Sequence, residues 1–280
     1  MNAMEHPRDD AGLNEPESGD IPPPTPWLPA LRPLHWRAPL LWLKAGWSDF
    51  RAQPGIGLFY GACFVLMGWA LAAMVLVQPA YVLALAGGFM LMGPFLCLGL
   101  YEASRCRELG RPTTLLRSLT TWRRNLSALA IFCVVLLVLE MLWSRSALVI
   151  FAVSFNTLPE TGQWWRILLD PDNLGFVITY TVVGAAFASL IFATSVVSMP
   201  MLIDHDDNTK ADAVTAGLTS IRACLNQPGI MLWWAALIAL SVGLALLPAF
   251  LGLLVVAPVI GHASWHAYRG MVVVEAAEHV

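Results

Sequence analysis

Two histidines near the end of the chain have types and spacing suited to chemistry. His262 and His266 lie four residues apart in GHASWHAYRG, residues 261–270. Side chains at this spacing share one face of a helix. Another apolar run ends in the similar sequence YEASR, which contains Glu102. A carboxylate and two imidazoles suit a divalent metal ion or a proton path, so one hypothesis is that Glu102, His262 and His266 converge.

Ordinary packing at the edge of a membrane is the alternative for the same pair. His262 would then hydrogen-bond a neighbouring helix, and His266 would join Trp265 and Tyr268 in an interfacial anchor. Haem is disfavoured, because two histidines on one face of one helix cannot bracket one iron atom. We therefore expect no cofactor, and no metal site beyond the three candidate residues.

Other patterns that carry chemistry are weak. The sequence contains no GxSxG, P-loop or HExxH motif, and no basic aromatic groove for nucleic acid. Asp204, His205, Asp206 and Asp207 lack the glycine and the distal glutamate of a calcium loop. We interpret this run as a solvated turn, with weak metal binding as the alternative and Asp204 as the residue closest to the membrane. The chain is therefore predicted not to be an enzyme.

The composition defines the class of protein that must position these residues. Of 280 residues, 58% are hydrophobic and 12% are charged, and the mean hydropathy is +0.65. The charged fraction is about half that of an ordinary soluble domain. The five cysteines are scattered singly and are interpreted as small hydrophobic residues. The sequence thus predicts an all-α polytopic membrane protein that contacts the lipid bilayer.

Apolar runs of about 20 residues are long enough to cross a bilayer. Six segments qualify as transmembrane helices: 56–77, 81–100, 126–143, 174–200, 230–247 and 249–268. The first two are separated by Gln78–Ala80 and the last two by Pro248, which predicts tight hairpins. Residues 144–173 are predicted to form an insert on the opposite side of the membrane from both termini.

Charge distribution predicts the orientation and the domain boundaries. All but Arg145 and Arg166 of the 16 Lys and Arg residues fall on the side that holds both termini. The positive-inside rule places that side in the cytoplasm. Residues 1–37 are predicted to be a disordered tail rich in proline and acidic residues, residues 38–272 the membrane domain, and residues 273–280 a short cytoplasmic tail.

Internal similarity predicts that the membrane domain is built from three hairpins. QPGI occurs at 53–56 and at 227–230, while Pro94 and Pro258 each precede an arginine by eleven residues. LTTWRRN at 119–125 resembles LTSIRACLN at 218–226 and marks a middle copy. Each hairpin follows a short amphipathic stretch with basic residues, which is typical of a helix in the cytoplasmic interface.

Small residues and prolines suggest how the helices pack. Gly57 and Gly61 form a GxxxG pattern that allows close approach of helices. Pro94, Pro200 and Pro258 remove backbone hydrogen bonds and are predicted to kink their helices. These five positions are assigned to packing or kinking and not to ligand binding.

Several spaced motifs carry a resemblance to a known family. They are GWSDFRAQPGIGLFYG, GPFLCLGLYEASR, SVVSMPMLID with DAVTAGLTSIRACLNQPG, and GHASWHAYR. Over roughly residues 38–272 the chain resembles a bacterial integral membrane family, domain of unknown function 2189, some of whose members are labelled cytochrome c oxidase subunits. The resemblance implies an inner-membrane protein of unknown activity, beside a membrane partner such as a respiratory complex. We expect a non-catalytic accessory or assembly component, with a small ion or metal transporter or channel as the alternative.

Overall fold

The computed structural model describes residues 28–77, 82–155, 170–204 and 212–273, and its regular elements are helices. The predicted all-α class is therefore confirmed for these residues. Parts of the predicted tails and of the insert, together with His205, Asp206 and Asp207, lie outside the described residues. The helices are α1 (Ala38–Ala52), α2 (Pro54–Val77), α3 (Val82–Glu108), α4 (Leu115–Thr120), α5 (Leu126–Ser154), α6 (Leu174–Ser195), α7 (Ser198–Asp204), α8 (Ala213–Asn226), α9 (Pro228–Leu246) and α10 (Leu253–Met271).

Four helical segments in the described part of the chain are long and apolar enough to cross a membrane. They are Pro54–Met74, Leu115–Ser154, Pro171–Asp204 and Pro228–Leu246. They coincide with four of the six predicted spans. The other two predicted spans, 81–100 and 249–268, fall largely on the long helices α3 and α10, and the number six stays a prediction.

Two helices end elsewhere than the hydropathy pattern predicts. Helix α5 continues to Ser154, past the predicted end of its span at residue 143. The predicted span 174–200 breaks after Ser195 and resumes at Ser198 as α7. Pro200 accounts for the break, because its ring clashes with the carbonyl four residues earlier and it has no N–H to donate. The freed Val197 N–H donates to Ser220 Oγ of α8 at 3.1 Å.

The short helices α1, α4 and α8 form where amphipathic stretches are predicted. The Thr114 hydroxyl caps α4 by accepting from the Arg117 N–H at 3.3 Å. Asp212 caps α8 in the same way, accepting from the Thr215 N–H at 2.6 Å. This backbone hydrogen bond lowers the pKa of the Asp212 carboxyl. Local capping thus sets where two of the three helices begin.

A single amide residue separates each short helical segment from the apolar helix that follows. Gln53, Asn125 and Gln227 have nearly the same backbone angles, with φ of −133°, −136° and −138° and ψ of 57°, 52° and 59°. The Gln53 amide donates to Ala103 O of α3, and the Asn125 amide donates to Leu202 O of α7, both at 3.4 Å. The Gln227 amide instead donates to Arg32 O at 2.8 Å.

Helix α10 packs mainly against helices from the first part of the chain. It packs along α1 and α2 and also contacts α3. Gly46 of α1 permits a close approach to α10, since a Cβ there would lie 2.6 Å from Val259 O. The buried core is concentrated at the end of the bundle where α3, α7 and α10 finish, and it includes Trp234, Trp265 and Tyr268. This end positions the candidate site.

The turn between α9 and α10 contains two residues in the left-handed region. Ala249 has φ of 50° and Phe250 has φ of 68°. The Phe250 ring packs on Gly68, and Trp69 Nε1 donates to Ala249 O at 2.8 Å. These contacts from α2 hold the turn in a conformation that disfavours residues with a Cβ.

Replacing Ala249 by glycine is expected to raise the free energy of unfolding by up to about 1 kcal/mol. A residue with a Cβ costs roughly 1–2 kcal/mol in the left-handed region, and glycine removes this cost. Glycine also makes the unfolded chain more flexible, which lowers stability by roughly 0.4–1 kcal/mol. Denaturant unfolding in detergent measures the change. Ala236→Gly, at an exposed helical position of α9, should instead lower stability by about 1 kcal/mol. A loss of stability in Ala249→Gly would contradict the prediction.

Candidate functional site

The three predicted site residues lie where α3 and α10 end. Glu102 and His262 are buried, with 0% and 1% of their surface exposed, whereas the His266 side chain is 27% exposed. The structure brings the two histidines together through residues that were not among the candidates. Glu102 takes a different set of partners.

Asp49 and Ser104 connect the two histidines. His266 Nε2 lies 2.8 Å from Asp49 Oδ2, and Ser104 Oγ donates to the same oxygen at 2.6 Å. His262 Nδ1 lies 2.8 Å from Ser104 Oγ. A serine hydroxyl has one proton to donate, and it goes to Asp49, so Ser104 accepts its second hydrogen bond from His262 Nδ1–H. A continuous chain of hydrogen bonds therefore joins buried His262 to partly exposed His266.

Asp49 is the centre of this cluster and is itself buried, with 4% of its surface exposed. Its other carboxylate oxygen forms an ion pair with Arg107, which also donates to Ser48 Oγ at 3.1 Å. Burial raises the pKa of the Asp49 carboxyl. Hydrogen bonds from His266 and Ser104 together lower it by more than burial raises it, so the net shift is downward. The carboxylate is thus held in its charged form by α3 and α10.

Replacing Asp49 by asparagine is expected to lower the free energy of unfolding by about 2 kcal/mol at neutral pH, because charged hydrogen bonds are lost inside the protein. The folded-state pKa is lowered, so ionised Asp49 contributes stability above its ordinary value of 3.8. That contribution is lost as the pH falls through the folded-state pKa.

Unfolding in detergent at several pH values checks both parts of this prediction. The difference between wild type and Asp49→Asn should shrink as the pH falls below the ordinary pKa of aspartate. Asp172→Asn changes an exposed carboxylate and serves as the control, with little effect at neutral pH. A difference that does not shrink below the ordinary pKa of aspartate would show that the ionised Asp49 carboxylate is not the stabilising group.

Glu102 is surrounded by arginines. Arg117 Nε lies 2.9 Å from Glu102 Oε1, Arg124 NH2 lies 3.1 Å from it, and Arg105 NH1 lies 3.9 Å from Oε2. Cys106 Sγ also contacts Oε1 at 3.3 Å. Arg117 and Arg124 come from α4 and from the turn after it. This carboxylate therefore fastens the segment 115–125 to the end of α3.

Asp204 forms a third cluster at the same end of the bundle. Its carboxylate lies 3.4 Å from Arg105 Nε and 3.2 Å from Arg269 NH1, and it accepts from the Tyr268 hydroxyl at 2.8 Å. Arg269 also pairs with Glu108 at 2.8 Å. Asp204 thus links the ends of α3, α7 and α10.

Glu102 and the two histidines have different contact partners in the structure, and their role as one ligand set stays a prediction. Glu102 binds arginines, whose guanidinium groups occupy the positions that a cation would need. The histidines bind Asp49 and Ser104 instead. Among the described residues, no three His, Cys, Asp or Glu side chains are grouped so that they could hold a metal ion.

A polar cavity of about 330 Å³ opens beside Asp49 and His266. Its walls include Ser48, Ser104, Arg107 and Glu108. The cavity gives solvent access to the exposed end of the hydrogen-bonded chain that begins at His262. Groups of this kind can accept and release protons or bind a small polar ligand.

A protein-family model matches the segment from α3 to α7. Residues 81–204 match DUF2189, a predicted integral membrane protein. The resemblance inferred from the motifs is confirmed over these residues, a little under half of the chain. The DUF2189 segment contributes Glu102, Ser104 and Asp204 to the site, whereas Asp49 and both histidines lie outside it. No curated protein and no solved structure matches the chain.

The match and the apolar helices together identify an integral membrane protein with several membrane-crossing segments. Within the DUF2189 segment, Pro94 lies inside α3, while Pro200 follows the break that begins α7. Pro258 lies inside α10. Outside the segment, Gly57 faces the Phe50 ring, and Gly61 lies directly against Leu254 O of α10. Gly57 and Gly61 are thus close-packed positions, whereas kinks at Pro94 and Pro258 stay predictions.

Proposed function

We propose that the protein is a non-catalytic accessory or assembly component of a membrane complex. The observation that supports this most strongly is helix α6, an apolar helix of 22 residues with no buried residue. The neighbouring helix α5 and helix α9 each bury several side chains. A helix that packs so little within its own chain has a whole face available for a transmembrane helix of another protein.

The exposed face of α6 carries the residue types that favour contact between transmembrane helices. Thr181, Ala185 and Ser189 follow one another at four-residue intervals and are all exposed. Small residues at this spacing let two helix backbones approach closely. A membrane-protein partner, such as a subunit of a respiratory complex, fits this face.

The polar end of the bundle supports the same role. Glu102, Asp204 and Asp49 each pair with arginines from other helices, and the first is fully buried. Networks of this kind fix the relative positions of helices. We therefore assign these charges to the architecture of the protein and not to catalysis.

We infer six spans arranged as three hairpins, with both termini in the cytoplasm of a bacterium and the helices in its inner membrane. The shared backbone conformation of Gln53, Asn125 and Gln227 supports three copies of one unit. The short helices support an interfacial position, because their exposed side chains are large and apolar, among them Trp47, Leu116 and Leu225.

The contacts between the three units follow a cyclic order that also supports the repeat. The closing helix of the first unit, α3, binds the short segment of the second through Glu102 and Arg117. Helix α7 binds α8 of the third unit through Val197 and Ser220. Helix α10 binds α1 of the first unit through His266 and Asp49. Each unit thus holds the leading helix of the next.

Affinity purification of the full chain from native membranes tests the proposed function, with co-purifying proteins and bound metal measured in the same sample. We expect a stoichiometric membrane-protein partner. Ala185→Trp on α6 should release that partner, whereas Val138→Trp, at an exposed position of α5, should retain it. Stoichiometric metal without a partner would overturn the proposal.

Transport of a small ion is the second candidate, and the cavity beside Asp49 and His266 is the observation that favours it. In the inferred orientation the cavity opens at the cytoplasmic mouth of the bundle. Reconstitution in vesicles with a pH-sensitive dye measures proton movement directly. Proton flux that Asp49→Asn abolishes and Asp172→Asn leaves unchanged would favour transport over the accessory role.

A further inference from the structure

An apolar groove of about 200 Å³ runs between α1 and the helices α9 and α10. Its walls include Leu43 and Trp47 of α1, Ser241 of α9, and Val255 and Ile260 of α10. Trp47 and Val255 remain 45% and 36% exposed, so the groove is accessible from the surface of the bundle. Its depth and apolar lining suit part of a hydrocarbon chain.

A row of positive charge borders this groove. Arg37, Lys44 and Arg51 lie seven residues apart along α1 and its first flanking residue, and all three are exposed. Seven residues are almost two helical turns, so the three side chains form one stripe. At 100° per residue the stripe lies about 80° around the helix from the edge formed by Leu43 and Trp47.

Helix α1 has a buried face, a groove-lining edge and a cationic stripe in order around its axis. Its buried face, which includes Trp42, Gly46 and Asp49, packs on the bundle. The groove-lining residues come next around the helix, and the cationic stripe follows. Within the part of the chain that the structure describes, neither Lys44 nor Arg51 forms a salt bridge. The stripe is therefore available to an external anion.

We propose that this groove binds one phospholipid with an anionic headgroup. One acyl chain would lie between α1, α9 and α10, and the phosphate would lie between Lys44 and Arg51, which are about 10 Å apart along the stripe. Basic residues attract anionic headgroups at a membrane surface, and an interfacial helix places its basic and apolar faces at the required depth. Neither the accessory role nor transport is needed for this lipid site.

Native mass spectrometry of the purified full chain tests the site, with phosphatidylglycerol or phosphatidylcholine added in equal amounts to the detergent micelles. We expect one tightly retained phosphatidylglycerol, favoured over phosphatidylcholine by about tenfold or more. Lys44→Gln and Arg51→Gln should each reduce this preference by about fivefold. Arg123→Gln removes an exposed charge from another segment and should leave it unchanged.

A variant that fills the groove separates a specific site from general attraction to charge. Val255→Trp should remove the retained lipid, whereas Val134→Trp, at an exposed position of α5, should keep it. Thermal unfolding of each variant verifies that it is folded. Equal retention of both lipids by the wild type, or equal losses in the groove and control variants, would overturn the proposal.

Discussion

Replacing Glu102 by glutamine is expected to lower the free energy of unfolding by about 3 kcal/mol. The carboxylate is fully buried and pairs with Arg117 and Arg124. Removing one partner of a buried ion pair leaves the remaining charges without compensation, which costs roughly 3–5 kcal/mol. The lower end applies here, because both arginine side chains are about one-third exposed.

Equilibrium unfolding in detergent measures this change, and Glu108→Gln is the matched control. The Glu108 side chain is 37% exposed and pairs with Arg269, so its loss should cost less than about 1 kcal/mol. In the double variant Glu102→Gln with Arg117→Met, the cost should be smaller than the sum of the two single costs. Strict additivity would mean that the pair does not stabilise the fold.

Replacing Gly61 by alanine is expected to lower the free energy of unfolding by about 3 kcal/mol. An added Cβ would overlap the backbone of α10 at Leu254. Backbone atoms cannot rotate away as a side chain can, so α2 and α10 must move apart. Overpacking of this kind costs roughly 1–3 kcal/mol, occasionally more.

Gly55→Ala provides the comparison within the same helix. A Cβ at Gly55 would meet no atom within 4 Å, and alanine favours helix over glycine by roughly 0.5–1 kcal/mol. Unfolding in detergent should therefore show Gly61→Ala destabilised and Gly55→Ala unchanged or stabilised. Similar losses in both variants would indicate that glycine flexibility, and not the contact with α10, matters at these positions.

Hydropathy predicted the apolar helices well because their signal is local. Helices α2, α5, α6 and α9 each contain a continuous apolar run, which any span must have. The same signal did not locate the break after Ser195, because Val196 and Val197 are as apolar as their neighbours. The proline at 200 marked that break, and its steric effect on residue 196 explains it.

The candidate site was predicted only in part, because its partners are distant in sequence. The spacing of His262 and His266 correctly placed both on one face of α10. Asp49 was not selected, although it follows Trp42 by seven residues and so shares the buried face of α1. A carboxylate at that position of an amphipathic helix is the signal that could have identified it.

Arg117 and Arg124 illustrate the same limit. Both belong to the set of basic residues from which the orientation of the protein is predicted. Nothing in the local pattern shows that two of them turn inward to Glu102. Pairing across helices depends on how the bundle closes, and periodicity within one helix does not contain that information.

The contact between α1 and α10 has a consequence for the order of synthesis. Helix α1 is made before every other described helix, yet the partner of its buried face is the last one, and 217 residues separate Asp49 from His266. Until α10 emerges from the ribosome, Gly46 lacks the backbone of Val259 and Ala263 against which it packs, and Asp49 lacks its contact with His266. The contacts of α1 can therefore be completed only after α10 has been synthesised.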